Sequence, residues 1–177
     1  MSGILISPFS NSGIRDWPGG HFRALIGLLL ERLPADVPIR VTGMPGHRLR
    51  ACEIVRPFPA DRVINQCGAL SPAELAGLIR TACCVVVNNS GIAHLAGRLG
   101  APTVSIFAGT HQRREWRALG ESVVLVSRAI GCAPCQLDHG QTSPYDKACL
   151  RAITPEAVMR AVELAMGRAK ARATMQD

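Results

Sequence analysis

The stretch from Val85 to Thr110, VVVNNSGIAHLAGRLGAPTVSIFAGT, decides the fold. Its three valines form a β-branched run that is apolar on both faces, the mark of a strand buried in a parallel sheet. The run ends in Asn88, Asn89, Ser90 and Gly91 and feeds into IAHLAGRLG, which reads as a helix stopping at Gly100. TVSIFAG then reads as another buried strand. Strand, polar turn, helix and strand follow one another directly, which is the grammar of a parallel α/β sheet.

The same alternation extends in both directions. GILISPF (3–9) reads as a first strand, SNSGIRDWPGG as a turn-rich loop and HFRALIGLLLERL as a buried helix. IRVTG (39–43) is a short strand, MPGHRLRACEIV a turn and helix, and RVINQCG a third strand. Ser71-Pro72-Ala73-Glu74 has the capping-box pattern and opens the helix AELAGLIRTA. VVLVS is a later strand, a cysteine-containing loop follows it, and Thr154-Pro155-Glu156 opens a last helix. The expected fold class is α/β: a Rossmann-like parallel sheet with helices on both faces. It forms a single domain over residues 1–167, with a basic tail, 168–177, expected to fray.

Composition bounds the function. The chain has 177 residues, 47% hydrophobic and 19% charged, so it is globular rather than disordered. A net charge of +7 suits anionic partners. Its arginines are scattered without an interleaved aromatic stripe, so nucleic acid is not an expected partner. No stretch has the length of a membrane span, and none has the pattern of a signal peptide. The expected location is the cytoplasm, with at most peripheral contact at the inner face of a membrane. Seven cysteines in such a chain should be reduced, buried or metal-bound. Cys52, Cys67, Cys83 and Cys84 lie in or beside apolar segments and read as small core residues.

The chemistry should sit where strands end, because ligands of open parallel sheets bind beyond the carboxyl ends of the strands. At Asn89-Ser90-Gly91 a phosphate or diphosphate would meet the free N–H groups and positive dipole end of the next helix, with His94 in its first turn. The competing reading is an ordinary strand-to-helix turn capped by Asn or Ser. Ser10, Asn11 and Ser12 after the first strand face the same choice between phosphate contact and turn formation. Trp17 is expected to pack its loop against the domain.

These segments resemble glycosyltransferase family 9, the heptosyltransferase family of lipopolysaccharide synthesis. The family carries an Asp-Ser/Thr-Gly-x-x-His-Leu-Ala pattern, then a Pro-Thr strand ending near Gly-x-Thr. Here the matching residues are Asn89-Ser90-Gly91-Ile92-Ala93-His94-Leu95-Ala96, then Ala101-Pro102-Thr103 and Gly109-Thr110. RDWPGGHF is similar to the family's Lys-x-Trp-Pro segment, VTGMPGH to the segment bearing the ribose-binding acid, and CAPC…SPYDKACL to its C-terminal signature. The resemblance implies the C-terminal, donor-binding half of a two-domain GT-B enzyme.

It also implies a ligand, a nucleoside-diphosphate sugar similar to ADP-heptose, with no cofactor required. Arg15, Asn89, Ser90, Gly91, His94 and Thr110 would bind it, with Ser12 and His47 at its margins. Three of these depart from the family in type. Asn89 replaces Asp and cannot act as a base. Arg15 replaces Lys and keeps the charge in a form that grips phosphate at two points. His47 stands where an acid binds ribose. No catalytic carboxylate is assigned, and the acceptor site would belong to a separate domain or subunit.

Cys132, Cys135 and Cys149 form a Cys-x-x-Cys…Cys set that can hold a structural zinc or iron, with His139 as a fourth ligand. The competing reading is a cysteine-rich loop closed by packing. Three functions follow for the chain: a glycosyltransferase component, a non-catalytic nucleotide or sugar-phosphate binding module, or an interaction protein whose apolar face is covered, as in a homodimer.

Overall fold

The computed structural model describes residues 3–137 and 145–175. Its strands are β1 (Ile4–Ser7), β2 (Ile39–Val41), β3 (Val63–Asn65), β4 (Cys84–Asn88), β5 (Thr103–Ile106) and β6 (Val123–Val126). Its helices are α1 (Gly19–Arg32), α2 (Arg48–Val55), α3 (Pro72–Thr81), α4 (Gly91–Arg98), α5 (Arg113–Trp116), α6 (Ala148–Arg151) and α7 (Pro155–Thr174). The strands form one sheet in the order β3-β2-β1-β4-β5-β6, and every neighbouring pair is parallel. The Rossmann-like expectation therefore holds. The single-turn helices α5 and α6 are additions, too short to carry a readable period.

The pleat of the strands divides the core in two. Ile4, Ile6, Val86, Val104 and Ile106 face one side, where they pack with residues of α1, α2 and α7. Leu5, Val85 and Val87 face the other, under Ile79 of α3 and Ala93 and Ala96 of α4. Alternate residues of one strand thus serve opposite layers, which is why β1 and β4 read as continuous apolar runs. In α1 the fully buried residues are Phe22, Leu25, Ile26 and Leu29, one stripe at helical spacing. Each contributes about 1.5–3 kcal/mol of burial. The Ser71 capping box closes as expected: its Oγ accepts from Glu74 N at 3.3 Å and Glu74 Oε2 accepts from Ser71 N at 2.8 Å.

Two expectations are corrected. The tail from 168 is helical: α7 continues through Gly167 to Thr174. Alanines at alternate positions favour the helix, and the arginines tie it down. Arg168 donates to the Val123 carbonyl at 3.4 Å, and Arg172 pairs with Glu121 at 2.7 Å. Cys52 is exposed rather than core, because α2 turns Ala51 and Ile54 inward and leaves position 52 outward. Cys67 and Cys84 are buried as expected, and Cys83 is half-buried. Among the described residues no helix is long and apolar enough to cross a membrane.

Close approach fixes α4 against the loop before β6. A Cβ on Gly97 would stand 2.2 Å from the Leu119 carbonyl oxygen, and one on Gly120 would stand 2.9 Å from the Gly97 oxygen. Gly100, at φ +74°, ends the helix in a left-handed conformation that favours glycine. Gly97→Ala is therefore expected to destabilise the fold by about 1–3 kcal/mol through overpacking on backbone. A urea midpoint unchanged by the substitution would show that the contact is not made. Burial also pushes the Cys67 and Cys84 thiols up, to about 11 and about 12. In the native protein at pH 8, iodoacetamide should alkylate Cys52 and spare Cys84 until denaturant is added; native labelling of Cys84 would contradict its place in the sheet.

Candidate functional site

β1 and β4 lie side by side, yet the chain leaves them in opposite directions. From β1 it passes to α1 on one face, and from β4 to α4 on the other. A crevice opens at such a switch point, beyond the carboxyl ends of the two strands. Its lips are the segment 8–18 and the turn Asn89-Ser90.

Asn88, the last residue of β4, joins the lips. It is fully buried. Its Nδ2 donates to the Pro8 carbonyl at 2.7 Å, and its Oδ1 accepts from Trp17 N at 3.1 Å. Trp17 is buried as expected, with its indole N–H on the Ile153 carbonyl at 3.0 Å and its ring edge-on to Phe22. Between these anchors lies Asp16, whose carboxylate is 3% exposed. Its Oδ1 accepts from Ser10 N at 2.7 Å and Ser10 Oγ at 2.8 Å, and its Oδ2 pairs with Arg50 at 3.2 Å. The single proton of the Ser10 hydroxyl is shared between Asp16 Oδ1 and the Ser12 carbonyl, 2.6 Å away. Ser10 and the Ser12 backbone thus shape the turn, the structural alternative for this segment, and Ser12 is buried.

Arg15 projects from that turn. One end of its guanidinium donates to Asn11 Oδ1 at 2.5 Å, while its Nε is buried and bonded to nothing. Arg15 makes no ion pair among the described residues. Across the crevice, Ser90 is the N-cap of α4 but its side chain makes no capping bond, and its Oγ is buried without a partner. The first turn of α4 is thereby left open, in contrast to α3 and α7, which Ser71 and Thr154 close. A Cβ built on Gly91 would meet nothing within 4 Å. His94, half-buried in the first turn, makes no side-chain hydrogen bond among the described residues. Asn89 is buried, with its backbone N–H on the Ile106 carbonyl at 2.9 Å.

The remaining candidates flank this pair of lips. Thr110, beyond β5, is buried and its Oγ1 lies 2.9 Å from His111 Nδ1. His47, beyond β2, accepts from Met44 N at Nδ1 (3.2 Å) and packs its ring on Phe9 at 4.6 Å. An Nδ1 that accepts leaves the neutral ring's proton on Nε2, so His47 offers a donor where an acid would offer acceptors. His47, Arg15, the Asn89–His94 segment and Thr110 thus follow four adjacent strands along one sheet edge.

The cysteine set does not assemble. Among the described residues no three His, Cys, Asp or Glu side chains are grouped to hold a metal. Cys149 is instead turned into the core, its sulfur accepting from Gly109 N at 3.3 Å. Cys135 is held by its backbone N–H on the Gly109 carbonyl at 3.0 Å. His139 lies outside the described residues. Cys135 and Cys149 both meet the backbone of Gly109, just beyond the end of β5.

Sequence reasoning passed over Asn88, Asp16, Arg50 and Lys147. Lys147 Nζ donates to the carbonyls of Gly13 and Asp16, both at 3.3 Å, and so holds the Arg15 turn from outside. Next to Arg15 in a turn-rich segment, Asp16 reads as a surface charge, and its burial shows only in the fold.

Comparison with known proteins agrees with this geometry. The chain matches the family glycosyltransferase family 9 (heptosyltransferase) over residues 2–148. No curated protein matches it in sequence. Among solved structures it is similar to Escherichia coli ADP-heptose LPS heptosyltransferase II, with a TM-score of 0.78 and 18% identity over 96% of this chain and 47% of that one. It is similar to E. coli heptosyltransferase WaaC with ADP, with a TM-score of 0.70 and 21% identity over 93% and 44%. The iron-containing dodecameric glycosyltransferase TibC of enterotoxigenic E. coli gives 0.69 and 18% over 93% and 46%. The chain spans less than half the length of each. The sequence match over most of its length, on a sheet of this order, shows that the chain belongs to glycosyltransferase family 9.

Proposed function

We propose that the crevice between β1 and β4 binds the diphosphate of a nucleoside-diphosphate sugar, and that the chain is the donor-binding half of a glycosyltransferase. The observation that carries this reading is the open first turn of α4. Its N-cap hydroxyl is buried and unpartnered opposite a guanidinium with a buried, unpartnered Nε. Buried donors left without partners are costly, and an anion between them would satisfy both sides. The complexes of WaaC with ADP and of TibC with ADP-D-β-D-heptose favour a donor of the ADP-heptose class.

In this reading the donor's diphosphate lies between Arg15 and the amides of Ser90 and Gly91. Thr110 and His94 supply further hydrogen bonds, and His47 stands at the ribose end. Cleavage of the bond between the anomeric carbon and the diphosphate oxygen leaves the electron pair on that oxygen. The negative charge of the diphosphate therefore grows along the reaction. Fixed cations and helix-terminal N–H groups stabilise that charge more in the transition state than in the ground state. The acceptor hydroxyl attacks the anomeric carbon and passes its proton to a base on the acceptor half, in the same chain or in a partner, since Asn89 cannot take it. A lipopolysaccharide-type glycan is the acceptor that the family resemblance suggests, and the net charge of +7 would suit work at the inner face of a membrane.

The test is calorimetric titration of the protein with ADP, UDP and GDP and their sugars. One base class should bind, with ADP favoured. Arg15→Ala and His94→Ala should each weaken that binding about tenfold, equivalent to about 1.4 kcal/mol. A folded wild-type protein that binds none of these ligands would overturn the reading.

A further inference from the structure

Asp16 is an odd neighbour for a phosphate-binding cation. It follows Arg15 directly in the chain, and its carboxylate is 3% exposed. Its Oδ1 is shared by Ser10 N, Ser10 Oγ and, at 3.4 Å, Asn88 Nδ2. These neutral donors solvate the carboxylate without cancelling its charge. Little water reaches it to screen that charge. Left alone, it would repel an incoming diphosphate and draw the Arg15 guanidinium back onto itself.

A side-chain cation opposes it. Arg50, in the first turn of α2, reaches Asp16 Oδ2 at 3.2 Å. Its guanidinium also lies 4.8 Å from the centroid of the Phe9 ring, which holds it beside the turn while 55% of its side chain stays in solvent. Lys147, on the other side of the turn, donates to the Asp16 backbone carbonyl.

We infer that Arg50 is a positioning residue of the donor site. By neutralising Asp16 it frees Arg15 for the ligand and lets the turn accept two phosphates. Asp16 itself holds the turn's shape, and Arg50 removes the electrostatic penalty of having it there. The inference rests on the donor-site reading and adds a residue that lies outside the family-like segments RDWPGGHF, VTGMPGH and Asn89–Ala96.

A charge cycle tests it. Wild type, Arg50→Ala, Arg50→Lys, Asp16→Asn and the double variant Asp16→Asn/Arg50→Ala are titrated with ADP, AMP and pyrophosphate, with thermal melts alongside. Asp16→Asn keeps the Oδ1 acceptor for Ser10. Arg50→Ala should weaken ADP and pyrophosphate about tenfold and AMP by less, because repulsion grows with the charge of the ligand. Arg50→Lys should stay close to wild type. The double variant should return to within about threefold of wild type, because the carboxylate that Arg50 neutralised is gone. Loss in Arg50→Ala without recovery in the double variant would show that Arg50 contacts the ligand itself or only supports the fold, and would overturn the inference. So would an Arg50→Ala protein with unchanged affinity. If wild type binds neither ADP nor pyrophosphate, the donor-site reading falls and takes the inference with it. Wild-type binding with a failed cycle overturns the inference alone.

Discussion

The buried amide of Asn88 is the contact on which the crevice depends. A parallel sheet that changes winding direction leaves two adjacent strand ends whose following segments diverge, and their backbone groups still need partners. Asn88 supplies both kinds at once, a donor for the Pro8 carbonyl and an acceptor for Trp17 N–H. Trp17 in turn anchors on Ile153, just ahead of α7. The turn that carries Arg15 is thus fixed to β4 on one side and to the C-terminal part of the chain on the other. Lys147 adds a second tie from that region. A site made of loops is held nearly as firmly as one made on strands, and that rigidity gives preorganised charge its value.

The helix ends show how the chain separates stability from binding. α3 and α7 begin with Ser71 and Thr154, whose side chains accept from the first-turn amides. Those ends are closed by their own side chains. α4 begins with a residue of the same type, yet Ser90 leaves its turn open. The same sequence feature, a hydroxyl before a helix, therefore has two outcomes. Tertiary position decides between them, because of these three helices α4 alone starts at the switch point.

This bears on how much of the molecule was legible in the sequence. The sheet could be read because its strands are buried on both faces and so appear as unbroken apolar runs such as Val85–Val87. The Ser71 cap could be read because both partners lie within four residues. Arg15, Asn89–Gly91, His94 and Thr110 could be proposed from local motifs, and the fold sets them along adjacent strand ends. Asp16 and Arg50 could not be paired in advance. They are far apart in the chain, and each alone reads as an ordinary surface charge. Cys132, Cys135 and Cys149 show the opposite limit. Their spacing suggests a shared ion, but packing turns Cys149 onto the Gly109 amide, a contact that no spacing rule contains. The helix of the tail was not legible because a run of alternating basic residues and alanines reads as polar. Its helix is set instead by contacts with Val123 and Glu121.

The distribution of charge points to a division of labour. Around the crevice the described cations include Arg15, Arg50 and Lys147, and the buried Asp16 carboxylate is already paired with Arg50. Asn89 occupies the place where the family pattern has an acid, and it adds no charge. The crevice is therefore suited to hold a phosphate chain whose negative charge increases. It is poorly suited to accept a proton, because its carboxylate is tied to three donors and a guanidinium. Under the donor-site reading, leaving-group stabilisation and proton removal belong to different halves of the catalyst. Such a half can keep its affinity for the donor while its turnover depends wholly on what is placed across the crevice. Selection on this chain then acts on the fit of the anion between Arg15 and α4. That fit is set by buried groups such as Asn88, Asp16 and Trp17, which hold the turn from beneath.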